Sequence, residues 1–482
     1  MLENATCTHS PHCSPPPPLL APSSTYSLAD VLSITKIHPF YSDARYPPDQ
    51  DAVQAAREHA ASLHVTEADL KTQPLLRKKD LYAVIERLVN DTSPENTYRR
   101  NVYTSVTGGG STTSKPLFFA TDALENRRHR AYFGQFLWNL GLIERGDWVL
   151  TTHFTGDLYR SLDLTCETME NAGASVLAAG NHMAPSKVVK LLQDFGVNVL
   201  TGDGSQIVSV VHHISTMSTA ERDNIKLDKI IYTSEGLTAT QKSHILAVLG
   251  PVKICSILGS AEAGPYGASN PDLISGDPVS NSADFIIDTR MTLIEILPLS
   301  LVDGDRVTDT LPEGETGVIA QTSLMRLRNP VVRYITGDVG SLHPLSDKTR
   351  DLVPEAHRPY MRVLRLQGRD GRFSFSWEGY DFEFENLRAF MAEPDLGVLQ
   401  WQVIMDKIEP SKETSLEVRV LSSRRGGDEQ VLIDRLNKFF YIYELNKHKF
   451  QITLVEDVTG FELSQTGRKV IKFIDAVEGR RC

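Results

Sequence analysis

The chain has 482 residues, of which 41% are hydrophobic and 23% charged, and 50 basic residues against 61 acidic ones give a formal net charge of −11. Such a composition suits a soluble globular protein with a core large enough for more than one domain, and the acidic balance without a basic stripe counts against nucleic acid as the main partner. No apolar run approaches the ~20 residues of a membrane helix, and five scattered cysteines without a paired CxxC favour neither a structural zinc site nor a disulfide framework.

Residues 1–25 open with MLENATCTHSPHCSPPPP. This stretch lacks the basic start and apolar run of a secretory signal and reads as a disordered, Pro-rich leader. Cys7, His9, His12 and Cys13 fall within it, where chance proximity is a better account than metal binding. A reducing, cytoplasmic setting is expected.

From Tyr26 to Val89 the pattern is mostly helical, broken by HPFYSD (His38 to Asp43) and by a docking segment, QPLLRKKDL (Gln73 to Leu81). Then comes TSVTGGGSTTSKP, Thr104 to Pro116, the most informative stretch of the chain. Three glycines allow the backbone to approach a ligand and turn several N–H groups toward one point. Ser111, Thr112, Thr113 and Ser114 add hydroxyl donors, and Lys115 adds a positive charge. The spacing is not that of a Walker loop, and Pro116 stops a helix from starting directly after the lysine. An isolated Gly/Ser run is more often a flexible linker. Strand-like residues on both sides favour a phosphate-cradling loop between two strands.

A helix is expected from about Asp122 to Leu140, with Phe133, Phe136, Leu137 and Leu140 on one face. Strands and helices then alternate. Strands are predicted at Trp148–Thr152, Ser175–Ala179, Val197–Thr201, Lys229–Thr233 and Val252–Leu258. The intervening helices are Leu158–Asn171, Ser186–Phe195, Ser205–Ser215 and Thr238–Leu249. This alternation calls for a doubly wound, mostly parallel sheet with ligands beyond the carboxyl ends of its strands. Three polar turns fall at such ends: HFTGD (His153 to Asp157), SEG (Ser234 to Gly236) and GSAEAGPYG (Gly259 to Gly267).

From Phe285 to Gly340 short Val/Ile/Leu runs are parted by turns, and a small β-barrel-like subdomain is expected. LQGRDGR (Leu366 to Arg372) has the composition of an exposed hinge. About a hundred charge-rich α+β residues follow, enough for a small mobile lid. The fold class is thus α/β, with a leader over 1–25, a large domain over 26–368 and a C-terminal lid over 369–482.

Four stretches, in order, resemble the adenylate-forming enzymes, and more closely their phenylacetate–CoA ligase branch. The glycine/hydroxyl loop is similar to that superfamily's phosphate loop, which sets Gly109, Gly110, Ser111, Thr112, Thr113 and Lys115 on ATP phosphates. GSAEAG resembles its Gly-x-x-Glu element, implying Glu262 as a magnesium ligand. YITGD (Tyr334 to Asp338) resembles the element whose aspartate grips the ribose hydroxyls, and LQGRD the hinge entry, with Arg369 facing ribose and phosphate. Ser234, Glu235, Gly236, Leu258 and Gly259 would border the adenine. HPFY, QPLLRKKDL and TSEG are closer to the phenylacetate branch. The resemblance spans roughly Pro39 to Asp475.

It implies an AMP-forming ligase using ATP, magnesium and an acceptor, with coenzyme A as the default. Joining a carboxylate to the α-phosphorus of ATP brings two anions together, so such a site must neutralise charge and align the reactants. Taken singly, Glu262 could be a surface glutamate, Asp338 a turn aspartate, Arg369 a solvated charge and Glu235 a helix cap.

The departures are specific. Leu258 stands where the superfamily has an aromatic residue beside adenine. No cysteine lies between Cys255 and Cys482, so zinc is not expected. WEGYDFEFENL (Trp377 to Leu387) replaces the family's lid segment. LSQTGRKVIKFID resembles the segment that delivers a catalytic lysine, but Arg468 holds that register and Lys469 follows; Lys469 is the expected cation.

By the same resemblance Phe154, Gly236, Ala261 and Pro265 border an acyl pocket for an aromatic or branched apolar acid. Asp157 and Arg160, one helical turn apart, read as a surface pair. An amine acceptor and a nucleotide-binding regulator without catalysis remain alternatives. A homodimer is compatible with the sequence.

Overall fold

A computed structural model of the chain describes residues 25–62, 66–106, 118–156, 158–234, 236–274, 283–301, 309–346, 350–369, 374–378, 380–411, 413–423, 429–464, 469–477 and 480–481. The N-terminal block is helical, as its pattern predicts: α1 (Leu28–Thr35), α2 (Gln50–Ala60), α3 (Glu67–Lys71) and α4 (Lys78–Asn90). A capping box between Ser27 and Asp30 starts α1. Leu81, Ile85 and Leu88 of α4 recur at helical spacing and are fully buried.

Strands β1 (Val102–Val106) and β2 (Phe118–Asp122) pair antiparallel, with Val106 opposite Phe118. The expected arrangement of a glycine loop between two strands therefore holds for its stem. Asp122 caps the next helix, α5 (Ala123–Asn139), accepting from the Leu124 and Glu125 amides.

The alternating region folds as β3 (Trp148–Thr151), α6 (Ser161–Asn171), β6 (Ser175–Ala178), α7 (Pro185–Asp194), β7 (Val199–Asp203), α8 (Gly204–Ser215), α9 (Thr219–Arg222), β8 (Lys229–Thr233), α10 (Ala239–Leu249) and β9 (Lys253–Ser260). Its five strands are parallel in the order β6-β3-β7-β8-β9. Neighbouring residues on each strand face opposite sides, which is why the runs are apolar throughout. Val149, Val199 and Ile231 join Phe133, Phe136 and Met169 on one side. Leu150, Leu200 and Ile230 join Val188, Leu192, Ile207 and Val211 on the other. Fully burying each such side chain stabilises the fold by roughly 1.5–3 kcal/mol.

One expected helix starts late. Leu158 has φ +68°, which no helix accommodates, and the chain instead pairs β4 (Thr155–Gly156) with β5 (Tyr159–Arg160) before α6 begins at Ser161. Arg160 therefore lies in β5, ahead of the helix. It bridges Asp163 at 2.8 Å, and Asp157 lies outside the described residues.

The β-rich stretch, expected as a barrel-like subdomain, is hydrogen-bonded into the same sheet. It comprises β10 (Gly264–Ser269), β11 (Ala283–Asp288), β12 (Thr292–Leu297), β13 (Gly317–Ser323), β14 (Tyr334–Pro344) and β15 (Met361–Arg369). All pair antiparallel, extending the parallel strands into an eleven-stranded sheet ordered β12-β13-β14-β15-β11-β10-β9-β8-β7-β3-β6. Hairpin connections between successive strands favour this antiparallel edge over a separate barrel.

After β15 the chain leaves this sheet. A hairpin of β16 (Ser374–Trp377) and β17 (Tyr380–Glu383) leads to α11 (Phe384–Met391), β18 (Val398–Lys407), β19 (Thr414–Ser422), α12 (Glu429–Phe439), β20 (Phe450–Leu454), β21 (Phe473–Asp475) and β22 (Arg480–Arg481). The last five strands form a second sheet, ordered β20-β19-β18-β21-β22. Its aromatic core includes Phe375, Trp377, Phe440 and Phe473. Leu399, Leu421, Phe461 and Val470 pack instead into the large sheet's cluster with Ile207 and Ile245, and the Gln241 side-chain amide donates to the Leu399 carbonyl. Among the described residues, no helix is long and apolar enough to cross a membrane.

Candidate functional site

Strands β9 and β10 meet in a tight hairpin whose turn is Ala261–Glu262–Ala263, with Gly264 paired to Ser260. Its sharpness requires glycine twice. A Cβ on Gly259 would lie 2.9 Å from the Gly264 carbonyl oxygen, and Gly264 has φ +73° with His129 where a Cβ would sit. The turn carries Glu262, only 5% exposed. Its Oε1 accepts hydrogen bonds from the Tyr82 hydroxyl at 2.7 Å and the Tyr334 hydroxyl at 3.2 Å. Burial, and then the Glu262 charge, push the Tyr82 phenol well above its ordinary range.

Arg326 ties this turn to the glycine loop's stem. Its guanidinium donates to the Glu262 carbonyl and lies 5.3 Å from the centre of the Phe119 ring in β2. Burial lowers its pKa to about 10. Two further side chains clamp β2. Arg328 bridges Asp122 at 2.9 Å and donates to the Thr97 carbonyl at 2.7 Å, while Asn329 donates to the Ala120 carbonyl at 2.7 Å. The glycine loop thus springs from a stem fixed beside Glu262. Gly109, Gly110, Ser111, Thr112, Thr113 and Lys115 themselves lie outside the described residues.

The carboxyl ends of β3, β7 and β8 form a second polar group. His153, 1% exposed, is within 2.9 Å of Thr151 Oγ1 through Nδ1 and 3.0 Å of Thr233 Oγ1 through Nε2. Thr233 Oγ1 reaches Asp203 Oδ1 at 3.4 Å. Burial pushes the His153 pKa down to about 4, so the ring is neutral near pH 7. Phe154 is buried beside it, 5.6 Å from the Tyr159 ring and 6.2 Å from the His182 ring. Ser234 follows β8 with φ +78°, and its carbonyl accepts a 3.2 Å hydrogen bond from Lys469 Nζ.

The third group lies on β14. Tyr334 begins this strand and Asp338 falls within it, directly opposite Arg369 of β15. Thr336 Oγ1 accepts from the Asp338 amide at 3.1 Å and donates to the Ile319 carbonyl at 3.3 Å. Only the backbone of Arg369 is described.

Several sequence-predicted residues are therefore linked: Glu262 to the stem of the loop, Asp338 to Arg369 by register, and Lys469 to Ser234. Leu258 is half-buried in β9, packed on the core cluster of Ala268 and Ile286. Gly236 has open space around its Cα. Ala261 is half-buried in the hairpin turn. Pro265 is buried in β10, its carbonyl 2.8 Å from His129 Nε2. Glu235 and Arg468 lie outside the described residues. Sequence reasoning missed Tyr82, Arg326 and the Thr233–Asp203 contact. Tyr82 directly follows the docking segment, and Arg326 sits in a polar-basic run (Arg326, Arg328, Asn329) just before YITGD, but nothing in either stretch points to Glu262 as the partner. Among the described residues no group of three or more His, Cys, Asp or Glu could hold a metal, so an ion at Glu262 would need ligand oxygens to complete its shell.

No family model and no curated protein matches the sequence. Solved structures do resemble this chain in fold. A 2-hydroxyisobutyryl-CoA ligase in the postadenylation state, in complex with 2-HIB-AMP, superposes with a TM-score of 0.63 at 16% identity, over 93% of this chain and 87% of that one. The same ligase with 2-HIB-AMP and CoA in the thioesterification state gives 0.53 at 16% identity, over 92% and 87%. The chain therefore shares the fold of these ligase structures over more than nine-tenths of its length.

Proposed function

We propose that this chain activates a carboxylic acid with ATP as an acyl-adenylate and then transfers the acyl group to coenzyme A. In the first step a carboxylate oxygen attacks the α-phosphorus and pyrophosphate leaves. In the second the thiolate sulfur of coenzyme A attacks the acyl carbon and AMP leaves. The reading draws on the shared fold and on the order of the four motifs. One observation carries it furthest. The Tyr334 hydroxyl reaches Glu262, and Asp338 follows four residues along the same strand, about 13 Å at the usual strand rise. That spacing suits a nucleotide laid with its phosphates at Glu262 and its ribose at Asp338.

In this reading Gly109, Gly110, Ser111, Thr112, Thr113 and Lys115 cradle the phosphates. Ser234, Glu235, Gly236, Leu258 and Gly259 wall the base, while Asp338 and Arg369 hold the ribose. Lys469, in preference to Arg468, brings a cation to the reacting carboxylate. Glu262 is a fitting magnesium ligand, because both hydroxyls that reach its carboxylate fall on Oε1 and leave Oε2 to face an ion. Bound magnesium would offset the charge of the phosphate oxygens. Phe154, Ala261 and Pro265 border a pocket for an aromatic or branched apolar acid. The lid, residues 369–482, swings about the Arg369–Gly371 hinge between the two steps. The kinship is with the phenylacetate–CoA ligase branch, and the free thiols Cys166 and Cys255 suit a reducing cytoplasm.

The test is product identification. The protein is incubated with magnesium, ATP and a panel of acids, with and without coenzyme A, and products are read by mass spectrometry. Acyl-AMP without the thiol and acyl-CoA with it are expected. Neither product from any acid class would overturn the reading.

A further inference from the structure

A lone carboxylate on a hairpin turn can rotate about its last torsion, which makes it a poorly aimed metal ligand. Glu262 is not loose in this way. Two hydroxyls, from separate elements far apart in the chain, converge on the same oxygen: Tyr82 of α4 at 2.7 Å and Tyr334 of β14 at 3.2 Å. Tyr82 is itself held. Lys78, one turn earlier, sits with Nζ 5.6 Å from the ring centre, and the ring packs against the cluster of Phe40, Leu81, Ile85 and Phe119. Tyr334 is 3% exposed. With Oε1 fixed by two donors, the carboxylate plane is set and Oε2 faces one direction.

We propose that Tyr82 is a positioning residue for a divalent cation bound at Glu262. It supplies the shorter of the two hydrogen bonds that aim the carboxylate. The inference rests on the adenylating reading, since that reading puts the cation there. It goes further by giving the N-terminal helical block a part in nucleotide binding. Groups that orient a metal ligand typically change metal affinity by roughly 10–100-fold when removed.

Manganese, titrated into the protein with a non-hydrolysable ATP analogue and followed by electron paramagnetic resonance, measures this without turnover. Tyr82→Phe keeps the ring and its packing but removes the hydroxyl. It is expected to weaken manganese binding about tenfold or more, while binding of the analogue without metal stays unchanged. Tyr334→Phe, which removes the second donor to the same oxygen, should shift manganese binding in the same direction. Wild-type affinity in folded Tyr82→Phe, judged by circular dichroism, would overturn the proposal and leave the adenylating reading standing. If wild-type protein takes up no manganese with the analogue, both fall together.

Discussion

Lys469 Nζ donates a 3.2 Å hydrogen bond to the carbonyl of Ser234, a residue 235 positions earlier. The contact joins the C-terminal segment to the turn after β8, where φ +78° at Ser234 holds the carbonyl in a conformation few non-glycine residues adopt. A cation at this turn can exchange a carbonyl partner for a developing negative charge with little movement. Lys469→Ala should therefore lower acid-dependent pyrophosphate release roughly 10²–10³-fold. Thioester formation from a supplied acyl-adenylate should be largely retained. Arg468→Ala should do much less in the first assay, and the reverse ranking would reassign the cation.

Asp338 and Arg369 stand opposite each other on β14 and β15. A carboxylate that accepts from ribose hydroxyls contributes about 1.5–3 kcal/mol through charged hydrogen bonds. Replacing Asp338 with Ala should raise the KM for ATP roughly 10–100-fold. Steady-state kinetics at saturating acid measure this, and an unchanged KM would place the ribose elsewhere.

Gly264 occupies the left-handed region at φ +73°, and a Cβ there would come within 2.7 Å of His129 Cε1 and 3.0 Å of Arg326 Nη2. Gly264→Ala is expected to cost about 1–3 kcal/mol and to shift the turn that carries Glu262. Gly236→Ala, where a Cβ meets nothing within 4 Å, should leave stability unchanged. Chemical denaturation of the two variants compares them directly.

His38, His129 and His153 are buried, and burial pushes their pKa values from 6.5 down to about 3, 3 and 4. On acidification the unfolded chain binds protons at these sites before the folded chain does, so each contribution to stability is lost as pH falls below ~6.5. Glu125 acts in the opposite sense. Burial raises its pKa to about 7, so its contribution is present below ~4.5 and lost as pH rises toward 7. The histidines outnumber it, and unfolding between ~4.5 and 6.5 takes up about two protons net from these four groups. Calorimetry should show the melting temperature falling from pH 7 to pH 5, with a shallower fall in His153→Gln. A melting temperature that rises on acidification would contradict this.

Periodicity carried most of the large sheet. The five parallel strands were legible because each is apolar on both faces, as Val149 and Leu150 illustrate, and helices separate each from the next. The late start of α6 was not legible, because Leu158 carries no local mark of a positive φ. Nor was the merging of the β-rich stretch into one sheet, which depends on β11 pairing with β15 across more than seventy residues. At the site, residues that lie in short motifs, such as Glu262 and Asp338, could be named in advance. Tyr82 and Arg326 could not, since their roles come from contacts 180 and 64 residues away. Such contacts leave no trace in local spacing.

The central claim is that a carboxylic acid and ATP meet at this site and exchange pyrophosphate for an acyl-adenylate. Exchange of labelled pyrophosphate into ATP, measured across a panel of acids, tests it most directly. The account predicts exchange that requires both an acid and magnesium and that is lost in Glu262→Gln. Exchange absent with every acid, while ATP binds the protein normally, would contradict it.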